Sequence, residues 1–231
     1  MAIITVLLSL FQPAFIKLTQ SSQKMECGKK MKGLASGHMM YADDHDGYVV
    51  VAESGNNISY DDVLIPYFTG TALSQEEQEL AFLPLADYGD LSQVFHCPSD
   101  PLLEGHRGGI RRSYVMSKGK PDQESISRGM SGDGWSTALH EVPVPSRVIL
   151  SLEFDYDSNR VGKTRYASLE NVFVQEMGDA LGLHVMGSMV FNYLFVDGSV
   201  KDLYYGETLS QDPDALGHSG YMTIDPSDDP R

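Results

Sequence analysis

Basic residues are scarce: Lys and Arg number 17 against 32 Asp and Glu, leaving a formal net charge of −15 over 231 residues. A body of that average sign repels phosphate, so neither nucleic acid nor anionic lipid headgroups are expected as partners of the folded part. Cysteine is scarcer still. Cys27 and Cys97 stand far apart, outside any C-x-x-C spacing, so a thiolate zinc site is not expected. Two buried thiols and one disulfide are both compatible with composition.

Catalytic signatures are missing as well. The histidines, His38 and His184 among them, never fall in H-x-x-x-H or H-E-x-x-H spacing, and no G-x-S-x-G, phosphate loop or dinucleotide fingerprint occurs. SGDGW and GHSGY are glycine-rich loops without a strand-turn-helix setting. His38 fits a core position better than a ligand role. The chain is therefore not expected to be an enzyme. Asp43, Asp44, Asp46 and Glu53 around Gly47 invite comparison with a calcium loop, but alignment on Gly47 puts Ala42 where the first oxygen ligand is needed. No cofactor is expected. Calcium stays open through the acids of QDPDALGHSG and DPSDDP, whose spacing assigns no ligands.

A complete membrane-spanning run is lacking too. Met1 to Ile16 carries no charge and is interrupted only by Thr5, Ser9, Gln12 and Pro13, whereas a spanning helix takes about 20 apolar residues. A secretory signal is disfavoured, because no basic stretch precedes the run and no A-x-A-like site follows Phe11. From Lys17 onward, Met25, Gly28, Met31, Leu34, Ala35, His38 and Met39 recur at three-and-four spacing, with Lys24, Glu26, Lys29, Lys30 and Lys32 between them. That is one face of a helix. The pattern predicts a single helix from near Met1 to Asp44, apolar at its start, amphipathic afterwards and on the order of 65 Å long. Pro13 should bend it.

The remainder is β-rich in pattern. YVVVA (Tyr48 to Ala52), VFHCPSD, SYVMS and RVILSLEFD read as strands. Ser59 to Phe68 reads as a short helix capped by Ser59 or Asp61, and Ser74 with Glu77 has the capping-box spacing of another, ended by Pro84. MVFNYLFVDGSVKDLYY reads as a hairpin in which Asp197-Gly198 suits a two-residue type I′ turn. KGKPDQESISRGMSGDGW reads as a polar surface loop and DPSDDPR as a frayed tail. The expected segments are 1–16 and 17–44 of the helix, a body over 45–224, and the tail 225–231.

The run AIITVLLSLFQPAFIKLTQSSQKMECGKKMKGLASGHMMYADDHDGY resembles the N-terminal helix of type II secretion pseudopilin-like proteins of planctomycetes and verrucomicrobia. Pro13, Cys27, Lys32 and YADDHDGY fall where that family has its helix proline, cysteine, lysine and helix exit. DDVLIPYF, FHCPSD, RRSYVMS and FNYLFVDGSVKDL, with Asp197 and Gly198, resemble its later motifs in the same order. The resemblance implies an α+β pilin-like fold, with the long helix packed on an antiparallel sheet. It also implies a structural subunit that assembles through that helix with other pseudopilins on an inner-membrane secretion platform. The first helix would be held in lipid and the body would lie in the periplasm, where Cys27 and Cys97 can oxidise to a disulfide. Type IV pilins are a related reading, and a membrane-anchored periplasmic hydrolase or carbohydrate-binding module, with Trp135, Tyr156 and His184 near a pocket, is the alternative class. The family's cleavage site and following glutamate would precede Met1, so the upstream DNA is expected to encode them in frame. His184 stands farther from Asp197 than the family's histidine, which implies a local insertion.

Overall fold

The computed structural model describes residues 2–54, 57–102, 104–117, 129–154, 156, 158–164, 168–169 and 190–208. The polar loop over 118–128, His184 and the acidic C-terminal segments named above lie outside them.

One helix, α1 (Ala2–Asp44), runs unbroken through Pro13. Its three-and-four pattern is used as expected: Cys27, Met31, Leu34, Ala35, His38 and Ala42 are buried along one face. Lys29, Lys32 and Ser36 alternate with them and are exposed. Fully burying an aliphatic side chain such as Leu34 contributes about 1.5–3 kcal/mol, which offsets the weak helix propensity of Gly28, Gly33 and Gly37. Gly37 has a packing reason. A Cβ there would meet the Phe68 ring at 2.4 Å, so α2 approaches α1 only because that side chain is absent. Among the described residues no helix is long and apolar enough to cross a membrane.

Beyond α1 come α2 (Tyr60–Thr69) and three one-turn helices, α3 (Gln75–Gln78), α4 (Leu85–Tyr88) and α5 (Ser92–Phe95). Ser59 caps α2 as expected, with its N–H donating to the Asp62 carboxylate at 2.9 Å. Ser74 and Glu77 form the expected capping box, but α3 lasts a single turn because none of its residues is buried. Pro84 does not end α3; it precedes α4.

The sheet is built from β1 (Tyr114–Ser117), β2 (Ile149–Glu153), β3 (Ser168–Leu169), β4 (Val190–Phe195) and β5 (Val200–Tyr204), in the order β3-β1-β2-β4-β5. Four strands are antiparallel, and the two-residue β3 adds a parallel edge to β1. The fold is thus α+β, a long N-terminal helix packed on a four-stranded antiparallel sheet. Tyr114, Met116, Leu150, Leu194 and Val196 share one core with Cys27, Met31 and Leu34 of α1. The register sets the other face: Val115 pairs with Leu152, and Leu152 with Tyr193, and all three are also buried.

Three expectations fail on tertiary grounds. YVVVA is not a strand. Val49 and Val50 are buried, but the backbone makes only isolated bridges, Tyr48 to Ala138 and Glu53 to Ser59 and Asp133. β-branched residues satisfy burial there without a ladder. VFHCPSD is not a strand either: Val94 and Phe95 finish α5, and the chain then turns at Cys97 to reach α1. The β4–β5 turn is not type I′, since Gly198 has φ +80° while neither Val196 nor Asp197 has a positive φ. Gly198 N–H donates to the Phe195 carbonyl at 2.9 Å and Phe195 N–H to that of Ser199 at 2.8 Å, a type I turn followed by a left-handed glycine.

Candidate functional site

Among the described residues, a run of uncovered side chains on α1 lies in its first half. Gln12, Phe15, Leu18, Thr19, Gln20, Ser21 and Ser22 all have exposed side chains, with Phe15 at 65% and Leu18 at 67% exposure. Met25, 62% exposed, continues the same side of the helix. At 1.5 Å per residue, positions 2–22 extend about 30 Å.

The body grips α1 from Gln23 onward. The Gln23 amide donates to the Pro98 carbonyl at 3.4 Å, and Lys24 pairs with Asp202 of β5. Lys30 donates to the carbonyls of His96 at 2.9 Å and Ser92 at 3.4 Å; its burial pulls its pKa down, against the attraction of Glu26. Cys27 and Cys97, with Cα atoms 5.1 Å apart, form a disulfide that fastens the helix to the loop after α5. Such a bond suggests an extracytoplasmic domain, where thiols oxidise. The buried Glu153 carboxylate lies beside it, accepting from Asn192 N–H at 2.8 Å and from its Nδ2 at 2.9 Å.

Farther up α1, His38 is fully buried, stacked 6.1 Å from Tyr60, and neither ring nitrogen has a hydrogen-bond partner among the described residues. Burial alone pushes its pKa down to about 3. Asp62 is buried too, and its carboxyl is pushed up to about 8, first by burial and then by the neighbouring Asp61. The two shifts act on stability with opposite signs. His38 binds its proton more readily in the unfolded chain, so stability falls as pH drops below about 6.5 toward 3. Asp62 holds its proton more readily in the folded chain, so stability falls as pH rises from about 4 to 8. Between roughly pH 4 and 6.5 the slopes cancel, and a plateau of thermal stability is expected there, with Tm declining on both sides. Replacing His38 with Phe should flatten the acid limb and turn the plateau into a continuous decline from about pH 4 to 8, since the Asp62 slope is then uncancelled; melting curves across pH that keep the acid limb and the plateau would sink the assignment.

Sequence reasoning missed the buried arginines. Arg111 and Arg112, fully buried just before β1, each meet an aspartate. Arg111 Nε donates to Asp100 at 2.6 Å, and Asp100 also accepts from the Ser113 hydroxyl at 2.9 Å. Arg112 pairs with Asp61, donates through Nε to Asn159 at 2.8 Å and through Nη2 to the Lys163 carbonyl at 2.9 Å. FHCPSD and RRSYVMS are thereby one unit, in which Asp100 of the first satisfies Arg111 and Ser113 of the second. The available signal was two adjacent arginines before an apolar strand in an acid-rich chain.

The remaining candidates do not converge. Pro13 lies within α1, and Asp197-Gly198 forms the end of the β4–β5 hairpin, with Asp197 exposed and Gly198 half-buried. Asp43, Asp44 and Asp46 are exposed at the exit of α1, where Asp44 accepts from the Tyr67 hydroxyl at 3.1 Å. Gly47, at φ +85°, closes the helix by donating to the Ala42 carbonyl. Among the described residues, the acids, histidines and cysteines gather in threes only at Cys27, Cys97 and Glu153, where both thiols are taken by the disulfide. Trp135 folds back over Gly132, and Tyr156 offers its carbonyl to Arg111 and stacks on Phe154. A cavity of about 300 Å³ between α2 and α4 is lined by Ile65, Leu73, Glu77, Asp87 and Asp90. A groove of about 820 Å³ separates Lys32, Met39 and Met40 of α1 from the hairpin turn. Comparison with known proteins finds no matching family model, no matching curated protein and no matching solved structure, so the arrangement itself is the guide: a long N-terminal helix packed on a four-stranded antiparallel sheet, consistent with a pilin-like fold.

Proposed function

We propose that the chain is a pseudopilin, a structural subunit of a type II secretion system or related pilus. Its α1 packs against the helices of neighbouring pseudopilins on an inner-membrane platform, while the body lies in the periplasm. The observation that supports this most is the division of α1. Its second half is fastened to the body by packing and a disulfide, while every described side chain from Gln12 to Ser22 is exposed, Phe15 and Leu18 included. Among the described residues nothing covers these exposed side chains, and a row of like helices would bury their apolar surface. The disulfide agrees with a body outside the cytoplasm.

Deleting the gene should abolish export of type II cargo. Complementation with Phe15→Glu and Leu18→Glu together should fail, although the protein accumulates with its disulfide formed. Export that continues in the deletion strain sinks the reading, and so does enzyme-like turnover of a glycan or ester by the purified protein.

A further inference from the structure

Glu153 of β2 is buried against the bridge between Cys27 and Cys97, and the two sulfurs and a carboxylate oxygen all lie within 4.8 Å of one another. All three residues are fully buried. Each comes from a different element, Cys27 from α1, Cys97 from the turn after α5 and Glu153 from β2, so the cluster exists only when α1 lies on the sheet. Asn192 of β4 fixes the carboxylate, its N–H on one oxygen and its Nδ2 on the other. Each oxygen keeps a lone pair for a further proton.

The two sulfurs are not equivalent. Ser99 N–H donates to Cys97 Sγ at 3.4 Å, so the turn through Pro98 stabilises negative charge on that sulfur. Cys27 sits in the middle of α1, beyond the reach of the partial charges at either helix end. Its thiol lacks that aid to ionisation, and an ordinary thiol has a pKa of about 8.5.

We propose that Glu153 is the proton acceptor that closes the disulfide as the body folds. A low-molecular-weight disulfide such as oxidised glutathione first exchanges onto Cys97 while the chain is open, releasing one thiol. When α1 docks, the Glu153 carboxylate takes the Cys27 thiol proton, directly or through one water, and the Cys27 thiolate attacks Cys97 Sγ. The new S–S bond forms as the bond to the glutathione sulfur breaks, and the leaving thiolate takes the proton from Glu153. Cys27 is oxidised and that glutathione sulfur is reduced. The bridge is thereby locked only in chains whose helix is already seated on the sheet.

Other charged groups surround the cluster. Tyr114 faces it from β1, its pKa raised by burial first and then by Glu153, and burial pulls His96 down, so both stay neutral from pH 7 to 9. Arg111 is paired with Asp100 and Lys24 with Asp202, while Lys30, near Glu26, donates to the Ser92 and His96 carbonyls.

The test uses the full chain carrying glutathione on Cys97 alone, isolated in acid, where exchange is frozen, and diluted into buffer between pH 7 and 9. Mass spectrometry follows the loss of glutathione. At pH 7 about 3% of an ordinary thiol is ionised, so Glu153→Gln should close about tenfold more slowly than the wild type there, steepen with pH and meet it near pH 9. Glu153→Asp should restore the flat wild-type profile. In concentrated urea the wild type and Glu153→Gln should close equally, both with the steep profile of a free thiol. If Glu153→Gln does not fold, the wild type alone decides, flat in buffer and steep in urea. Equal rates for the two proteins at pH 7 in buffer overturn the proposal, and so does a steep wild-type profile there. Lys30→Gln closing as slowly as Glu153→Gln overturns it too, by assigning the effect to the field around the thiols. Export by the deletion strain would remove the secretion role and leave these rates standing.

Discussion

Removing the disulfide as Cys27→Ala with Cys97→Ala is expected to lower the stability of the body by about 4 kcal/mol, the chain-entropy value for a loop of this size. The bridge spans a sequence separation of 70 and joins α1 to the turn after α5, so without it the unfolded chain regains the freedom of that whole segment. Denaturant titration of the double variant, and of the wild type under reductant, should agree, and both midpoints should move well below the oxidised protein. A loss under about 1 kcal/mol would mean that packing of Met31, Leu34, Ala35 and Ala42 already holds the helix and that the bridge adds little. The consequence reaches function: the disulfide lies at the boundary between the exposed and packed halves of α1, where force on the free half is transmitted to the body. In the double variant α1 should be cut by protease between positions 18 and 26 faster than in the oxidised protein.

Replacing Arg112 with Met is expected to cost about 3–5 kcal/mol, because Asp61 is left as a buried charge without its cation. Asn159 Oδ1 and the Lys163 carbonyl lose donors at the same time, and the guanidinium is withdrawn from the Tyr60 ring, now 5.3 Å from its Cζ. Arg112→Lys should recover little, since one ammonium on a flexible stem cannot meet Asp61, Asn159 and Lys163 in the fixed fork that a guanidinium provides. Asp61→Asn combined with Arg112→Met should be less damaging than Arg112→Met alone, because no charge is then stranded. Urea titrations at neutral pH measure all three. If the single and double variants lose equal stability, the pair is not coupled as its geometry implies.

How much of this was legible beforehand depends on how far each interaction reaches along the chain. The extent of α1, the N-cap at Ser59, the capping box at Ser74, the strands at 114–117 and 149–153 and the final hairpin were readable, because each is fixed by side chains a few positions apart. The form of the hairpin turn was not: Asp-Gly suits more than one turn, and the pairing of Leu194 with Val200 selects the type I form.

The sequence by itself determined that a long helix, apolar and then cationic, precedes an acidic β-rich body, since periodicity and composition act locally and survive without any partner. Only the tertiary structure decided that the two cysteines meet, that Arg111 and Arg112 turn inward to Asp100 and Asp61, that YVVVA packs without pairing, and that Lys29 and Lys32 stay outside while Lys24 and Lys30 are taken by the body. Each of those outcomes depends on groups brought together from distant parts of the chain, and a buried charge or a thiol has no preferred partner until the fold removes water from around it.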